Sequence, residues 1–405
     1  MNCLKNFLLI SFAAMVAIPA VASEYYQPGP SATGRVSAEN WDTGENRRYA
    51  LQNFEKIVRY TISVRPTTIR KLKKSQDLNI GELPEVTYLT NTTAFSGIVI
   101  IKGDTIVYEK YAPDFGPDQQ HSCQSSTKTI NNLLVGKLVT EGKLDLSKKI
   151  KSFYPDMGSG YAEATVQQVL DMDVVNDYTE GYGDPDSPIR SHESVSGWRP
   201  FREDLGDDLR AYLKTIESKN ITNDGKYKYK STNTDVVGMI IEAAADRPLH
   251  QLIREVMVAS GFENTGYIST DGLGVPATMG GFILTTRDFA RYGMLLRDGG
   301  KGVNGKMVGG GKSFIEQTLS HDGASMGLDK MGLDNFRYSN STYTNGRFFG
   351  HAGWGGQYLY IDPKHELVVA FQSTLENDSG IVGDYALRLM KMPLAVSDYF
   401  DKDKD

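Results

Sequence analysis

The sequence predicts an α+β fold, an antiparallel sheet assembled from both chain ends and carrying a helical subdomain. Three observations lead there. β-branched and aromatic runs lie before residue 110, and others return after residue 343. Between them, from about residue 137 to 341, the pattern is mostly helical, broken by long polar loops. Strands at both ends with helices between them make α+β, not an alternating α/β architecture.

Taken in order, the first residues read as a secretion signal. Lys5 gives a positive flank, residues 7–18 an apolar run, Pro19 its break, and Ala20-Val21-Ala22 a small-residue cleavage site before Ser23. The run is too short to span a bilayer comfortably, so no stable membrane anchor is expected. Removing residues 1–22 as signal peptide places the mature chain in the periplasm or outside the cell. Cys3 leaves with the signal, which leaves Cys123 as the one thiol and no internal disulfide. Residues 23–75 read as an N-terminal arm and helix. The arm is rich in Gly, Pro, Ser and Asn, and the helix, over 47–74, shows Leu51, Phe54, Ile57 and Val58 along one face.

Residues 76–395 form the main domain. It starts with a hairpin of Ser96-Gly97-Ile98-Val99-Ile100-Ile101 and Thr105-Ile106-Val107-Tyr108, turned at Lys102-Gly103-Asp104. The helical part spans about 125–341. Within it, residues 178–191 are too polar and too Pro/Gly-rich for an element and read as a loop that lines a site. Thr286 is placed to cap a helix over 287–297, with Gly299 as its stop. Strands return at 347–350, 358–361 and 367–371, a turn falling at 362–365. Residues 382–392 read as a closing helix, and 396–405 as a polar, frayed tail.

Composition is that of an ordinary globular chain of 405 residues, 40% hydrophobic and 23% charged. A net charge of -6 without any Lys/Arg stripe argues against a nucleic-acid partner. Six histidines stand without metal-ligand spacing, so neither metal nor other cofactor is called for. Gly309-Gly310-Gly311-Lys312-Ser313 imitates the end of a phosphate-binding loop, but Lys306 stands where the first glycine belongs; a flexible surface turn is expected. No Gly-x-Ser-x-Gly elbow occurs, which counts against an α/β-hydrolase.

The stretch Gln124-Ser125-Ser126-Thr127-Lys128 carries the chemistry. Ser125 and Lys128, three apart, share a helix face, so an amine can take the proton of a serine nucleophile. Behind them Ile130, Leu133, Leu134, Leu138 and Val139 recur at helical spacing and would bury the helix. Cys123 reads as a small buried neighbour, not as a nucleophile. Two more stretches complete the set: Tyr229-Lys230-Ser231, feeding an apolar helix, and His351-Ala352-Gly353-Trp354-Gly355-Gly356, leading into a C-terminal strand.

Ser125-x-x-Lys128, Tyr229-x-Ser231 and His351-x-Gly353, in that order, resemble the motifs of the serine β-lactamase/penicillin-binding-protein superfamily. The chain is most similar to its class-C-like branch, which includes esterases, D-alanyl-D-alanine peptidases and 6-aminohexanoate-dimer hydrolases. The 178–187 loop, Met279-Gly280-Gly281, the run 285–293 and the Trp-Gly-Gly segment carry the likeness to the last group. Ser231 replaces the Asn, and His351 the Lys, found in many members. A missing lysine removes a fixed cation for the carboxylate of a β-lactam.

The resemblance implies a β-lactamase/transpeptidase-like fold and a secreted serine hydrolase that opens a small-molecule amide, ester or peptide through an acyl-enzyme. It makes Ser125 the nucleophile, Lys128 its base and Tyr229 the proton donor to the leaving group. The backbone N–H groups of Ser125 and Trp354 would meet the oxyanion, on a substrate strand that includes His351 and Gly353. Tyr178, Tyr182 and Ser231 are candidates for substrate binding. The nearest alternatives are a D-alanyl-D-alanine carboxypeptidase or a class-C-like β-lactamase. The alternative of another class is a catalytically silent peptidoglycan-binding protein.

Overall fold

Residues 36–218, 225–375 and 384–402 are described by a computed structural model. The signal segment, most of the extended arm and the last three residues lie outside the described residues. Hydrogen bonding between the chain ends organises the fold. Leu367–Ser373 pairs antiparallel with Phe95–Lys102, Val369 opposite Ile100, and thereby joins the N-terminal hairpin to five further strands from the later part of the chain. The resulting sheet has nine strands, from Lys73–Lys74 at one edge to Ala324–Ser325 at the other. Only the Lys73–Lys74 edge runs parallel to its neighbour.

The central strands are buried on both faces, which explains their near-continuous apolar runs. Side chains alternate as the pleat requires. Val99, Ile101, Val368 and Ala370 join the core beneath Thr286–Arg297. Ile98, Ile100, Val369 and Phe371 face the opposite core with Leu389, Met392 and Val396 of Asp384–Lys402. Gly293 brings the Thr286–Arg297 helix against the sheet, since a Cβ there would lie 2.5 Å from Val368 Cγ1. Among the described residues no helix is long and apolar enough to cross a membrane.

Several local expectations need correction. The helix read over 47–74 is Gly44–Gln52 followed by one 3-10 turn, Phe54–Lys56. Leu51, Phe54, Ile57 and Val58 are all buried, as their spacing implied. The chain turns between them because they pack on Trp41 and Trp198 rather than along one straight face. Residues 61–64 then form a strand, in keeping with Thr61-Ile62-Ser63-Val64, and build a small sheet with Gly266–Ser269, Phe282–Leu284 and His121–Ser122.

The loop expected through residue 191 ends earlier, because Pro188 opens the helix Pro188–Val195, where a missing N–H costs nothing. The cap of Thr286–Arg297 is Thr285, whose hydroxyl accepts the Asp288 N–H at 3.1 Å, not Thr286. Residues 309–313 are no surface turn. Gly309 and Gly310 are buried against Gly299 and Gly136, and the helix Gly311–Ser320 starts directly after them. The closing helix continues through the supposed tail to Lys402. Val396 and Phe400 are buried, and Asp398 and Asp401 pair with Arg347, Lys364 and His365.

These contacts set a stability test. A Cβ at residue 310 would lie 2.6 Å from backbone atoms of Gly136, whereas one at Gly44 meets nothing within 4 Å. Gly310→Ala should therefore destabilise by about 1–3 kcal/mol through overpacking. Gly44→Ala should leave the denaturant midpoint unchanged or raise it slightly. Equilibrium unfolding of the two variants beside the wild type checks both.

Candidate active site

Ser125 sits on a 3-10 turn, Gln124–Lys128, that runs straight into the helix Thr129–Thr140. That helix is buried nearly all round, Asn131 and Asn132 included, and is wider in its burial than the single stripe its apolar spacing suggested. A turn rooted in so enclosed a helix has little freedom. Gln124 holds φ +46, a left-handed conformation that costs a non-glycine residue on the order of 1 kcal/mol. Its side chain is pinned by an amide donation to Ser122 Oγ at 2.9 Å. Residues in such conformations cluster at functional sites.

Lys128 is wholly buried. Its Nζ lies 3.1 Å from Ser125 Oγ, 3.2 Å from Ser231 Oγ and 2.5 Å from the Met279 carbonyl. Burial pushes the ammonium down to about 8, against the opposing pull of the Glu180 and Asp235 carboxylates. Tyr229, just ahead of the helix Ser231–Ala245, places its ring centroid 5.1 Å from that amine and lines the same cavity as Ser125. Burial, with Tyr343 and Glu180 beside it, drives the phenol well above its ordinary value, so the hydroxyl keeps its proton near neutrality. Serine, amine and phenol, from the first two motifs, therefore lie together.

The third motif lies on the strand Phe349–Gly353, which runs against the serine turn. Ser126 Oγ donates to the His351 carbonyl at 2.8 Å and ties strand to turn. Gly353 allows the approach, because a Cβ there would meet the Cys123 carbonyl at 2.8 Å. Met279-Gly280-Gly281 closes the other side. A Cβ on Gly280 would sit 2.7 Å from the Trp198 ring and 3.2 Å from the Gln124 backbone.

Two cavities meet at Ser125, Tyr182 and Trp354. The first, about 380 Å³, is bounded by Trp41, Trp198, Met279 and Ser231 and has a charged side of Asp42, Arg190 and Glu193. Arg190 and Arg199 each bridge Asp42 and Glu193. Although burial works against it, these guanidiniums hold the Asp42 carboxyl below its usual value. The second cavity, about 600 Å³, is lined by Tyr182, Tyr227, Tyr229, Tyr343 and the Ala352–Trp354 strand end. Trp354 is anchored edge-on to Trp41, ring centroids 5.4 Å apart, beneath the Arg47 guanidinium.

Two candidates from the sequence fall elsewhere. Tyr178 does not line either cavity; it is buried behind the site with its hydroxyl on His192 Nδ1 at 3.1 Å. The His351 side chain also turns away from the cavities, as alternation along the strand requires once Ala352 faces inward. Its ring stacks on Tyr343, accepts from the Tyr338 hydroxyl and donates to the Ala352 carbonyl. Burial first and Lys128 second hold this imidazole well below its usual value, hence neutral. Glu180 is likewise occupied, accepting from the Ser231 N–H and the Tyr182 hydroxyl. Sequence reasoning missed Trp41, Asp42, Arg190, Glu193 and Trp198. Their separation along the chain offers no motif; only the aromatic and Arg content near residues 41 and 198 could have drawn notice.

Comparison with known proteins bears on the family and the fold. The beta-lactamase family model matches residues 90–389. The 6-aminohexanoate-dimer hydrolase of Paenarthrobacter ureafaciens is 29% identical over 297 residues, covering 72% of this chain and 74% of that protein. A solved structure from Bacillus anthracis, described as a candidate 6-aminohexanoate-dimer hydrolase, superposes with a TM-score of 0.76 at 20% identity, covering 92% of this chain and 99% of that one. A family VIII carboxylesterase gives 0.54 at 16% identity, covering 76% and 97%.

Cys123 supplies the test generated here. The thiol is wholly buried, and burial pushes its ionisation far up, so it carries no reactive thiolate. Cys123→Ala should keep turnover within a few fold of wild type. Iodoacetamide should fail to modify Cys123 in the folded protein while alkylating it in denaturant.

Proposed function

Because the chain belongs to the beta-lactamase family, a family of serine hydrolases, we propose that it is an exported enzyme that cleaves small linear amides or esters through an acyl-enzyme on Ser125. The observation that carries this reading is the 3.1 Å contact of Ser125 Oγ with a buried amine of lowered proton affinity, in a cavity that a protonated phenol also lines. Neutral Lys128 takes the serine proton as Oγ attacks the carbonyl carbon. Tyr229 then gives its proton to the leaving amine or alkoxide, and is reprotonated through Lys128. Water repeats the sequence on the acyl-enzyme, releasing the acid and restoring Ser125. The backbone N–H groups of Ser125 and Trp354 are the proposed oxyanion donors, each worth about 3 kcal/mol in the transition state.

Support for a linear substrate comes from the two cavities on either side of Ser125. The aromatic one suits an unbranched chain or flat group. The other is walled by Asp42 and Glu193, already matched by the Arg190 and Arg199 guanidiniums, so it offers no spare cation to an anionic end and suits a neutral one. Buried, neutral His351 offers no fixed cation for a β-lactam carboxylate. The relatedness to 6-aminohexanoate-dimer hydrolase points the same way.

A phosphonate probe applied to the periplasmic extract of expressing cells should label Ser125 in the wild type and nothing in Ser125→Ala. That variant should fold normally and lose turnover by several orders of magnitude. Retention of near-normal rates, or of labelling, would remove Ser125 as nucleophile.

The substrate reading is checked separately, by kcat/KM across short p-nitrophenyl esters, aminohexanoate dimer, D-alanyl-D-alanine peptides and nitrocefin. Esters and the amine-ended linear amide should lead. Nitrocefin as the fastest substrate would overturn the preference and leave the acyl-enzyme chemistry standing.

A further inference from the structure

Behind the charged cavity lies a buried polar pair that none of these steps uses. His192, on Pro188–Val195, and Asp235, in the Ser231–Ala245 helix, have side chains only 0% and 2% exposed. His192 Nε2–H donates to Asp235 Oδ2 at 2.9 Å, and the Tyr178 hydroxyl donates to Nδ1. Tyr212 stacks on the imidazole with an interplanar angle of 16°. The other carboxylate oxygen accepts the Thr278 hydroxyl at 2.7 Å and the Met279 N–H at 3.0 Å. The Met279 carbonyl in turn receives Lys128 Nζ. Neither His192 nor Asp235 lines either of the two cavities at Ser125.

Apolar residues of the same size would serve stability as well as such a pair. Its placement has a stereochemical consequence instead. A neutral amine that is to accept the Ser125 proton has two N–H bonds and one lone pair. The Met279 carbonyl can only accept, so it claims one N–H, and the Ser231 hydroxyl takes the second. The lone pair is then left for Ser125 Oγ. That allotment lasts only while the Met279 backbone stays in place, and Asp235 is what pins it.

We propose that His192 and Asp235 are positioning residues for the base: His192 orients the carboxylate, and Asp235 holds Thr278 and Met279 so that the Lys128 lone pair faces Ser125. The proposal rests on the reading of Ser125 and Lys128 as nucleophile and base. The same carboxylate acts on Lys128 through space. The ionisable groups around that amine are Glu180 from the loop, Asp235 from the helix, Tyr229 ahead of it and His351 from the strand. Those around His192 are Tyr178, Tyr212 and Asp235. Glu180 and Asp235 both favour the ammonium, while burial opposes it. The neutral amine is the active form, so the rate rises as pH passes upward through the Lys128 value, near 8. Deleting the Asp235 charge lowers that value and moves the rising limb to lower pH.

The experiment is the pH profile of kcat and KM on a p-nitrophenyl ester for wild type, Asp235→Asn and His192→Gln. Asp235→Asn should shift the rising limb to lower pH and lower the kcat plateau by up to about 100-fold, the cost of misplacing a catalytic group, with KM little changed. His192→Gln, whose amide still donates to the carboxylate, should keep the wild-type limb. A measurement on the wild type covers the case of a variant that does not fold. The downfield Nε2–H proton resonance of His192, identified by its loss in His192→Gln, should move as pH crosses the rising limb. An unmoved limb in Asp235→Asn overturns the proposal whatever its plateau, and so does a resonance that stays flat across the limb. Phosphonate labelling of wild-type Ser125 stands apart from both: its failure would sink the hydrolase reading, its success with an unmoved limb the positioning role alone.

Discussion

A lysine amine with no exposed surface is the constraint from which the site follows. Burying an ammonium costs several kcal/mol unless acceptors surround it. Here the acceptors come from three stretches far apart in sequence: Ser125 on the same turn, Ser231 at the start of its helix, and Met279 ahead of the strand Phe282–Leu284. Each of those stretches must be placed before Lys128 can be. The helix Thr129–Thr140 is buried accordingly, and its buried Asn131 and Asn132 amides donate to backbone carbonyls at Thr234 and Asn340. The desolvation that makes the amine costly to bury also lowers its proton affinity toward neutrality, where it can exchange a proton with serine. Cost and capability thus come from one cause.

How much of this was legible in the sequence depended on distance along the chain. Ser125 and Lys128 could be paired because one helical turn joins them, and the hairpin around Gly103 because β-branched runs flank a short turn. The three motifs, taken in order, led to the family. What went unread was set by partners remote in sequence. The apolar positions 51, 54, 57 and 58 bury as expected, yet they wrap around Trp41 and Trp198 instead of forming one helix. The acidic residues after 396 look like a solvated tail until Arg347, Lys364 and His365 are placed opposite them. Tyr178 and Tyr182 look equivalent in a polar loop. Only the position of His192 decides that the first points inward to a buried hydrogen bond and the second to the cavity.

Part of the cavity wall comes from outside the stretch that matches the family. The family match begins at residue 90, and every group proposed for proton transfer lies inside it. Trp41 and Asp42 lie outside it and yet wall the charged cavity, with Arg47 over Trp354. Aromatic contacts among Trp41, Phe54, Trp198 and Trp354 join this N-terminal segment to the site. They are edge-on, an arrangement worth about 0.5–1.5 kcal/mol per pair beyond burial. The segment therefore shapes the cavity wall beside Ser125 and braces Trp354.

The direction of its side chain explains why His351 need not be a lysine. A cation at this position would have to face the cavity to hold an anionic substrate, but the strand turns this side chain toward Tyr338 and Tyr343. There a charge would be stranded among tyrosines and close to Lys128, so the neutral ring is the form the packing accepts. The strand still does what the proposed reaction needs of it. Its backbone is clipped to the serine turn through Ser126, and Gly353 lets it come close enough for main-chain donors to serve in place of a charged side chain. Under the proposed reaction, a site built this way stabilises the charge that develops at the carbonyl and offers no fixed cation to a carboxylate elsewhere on the substrate.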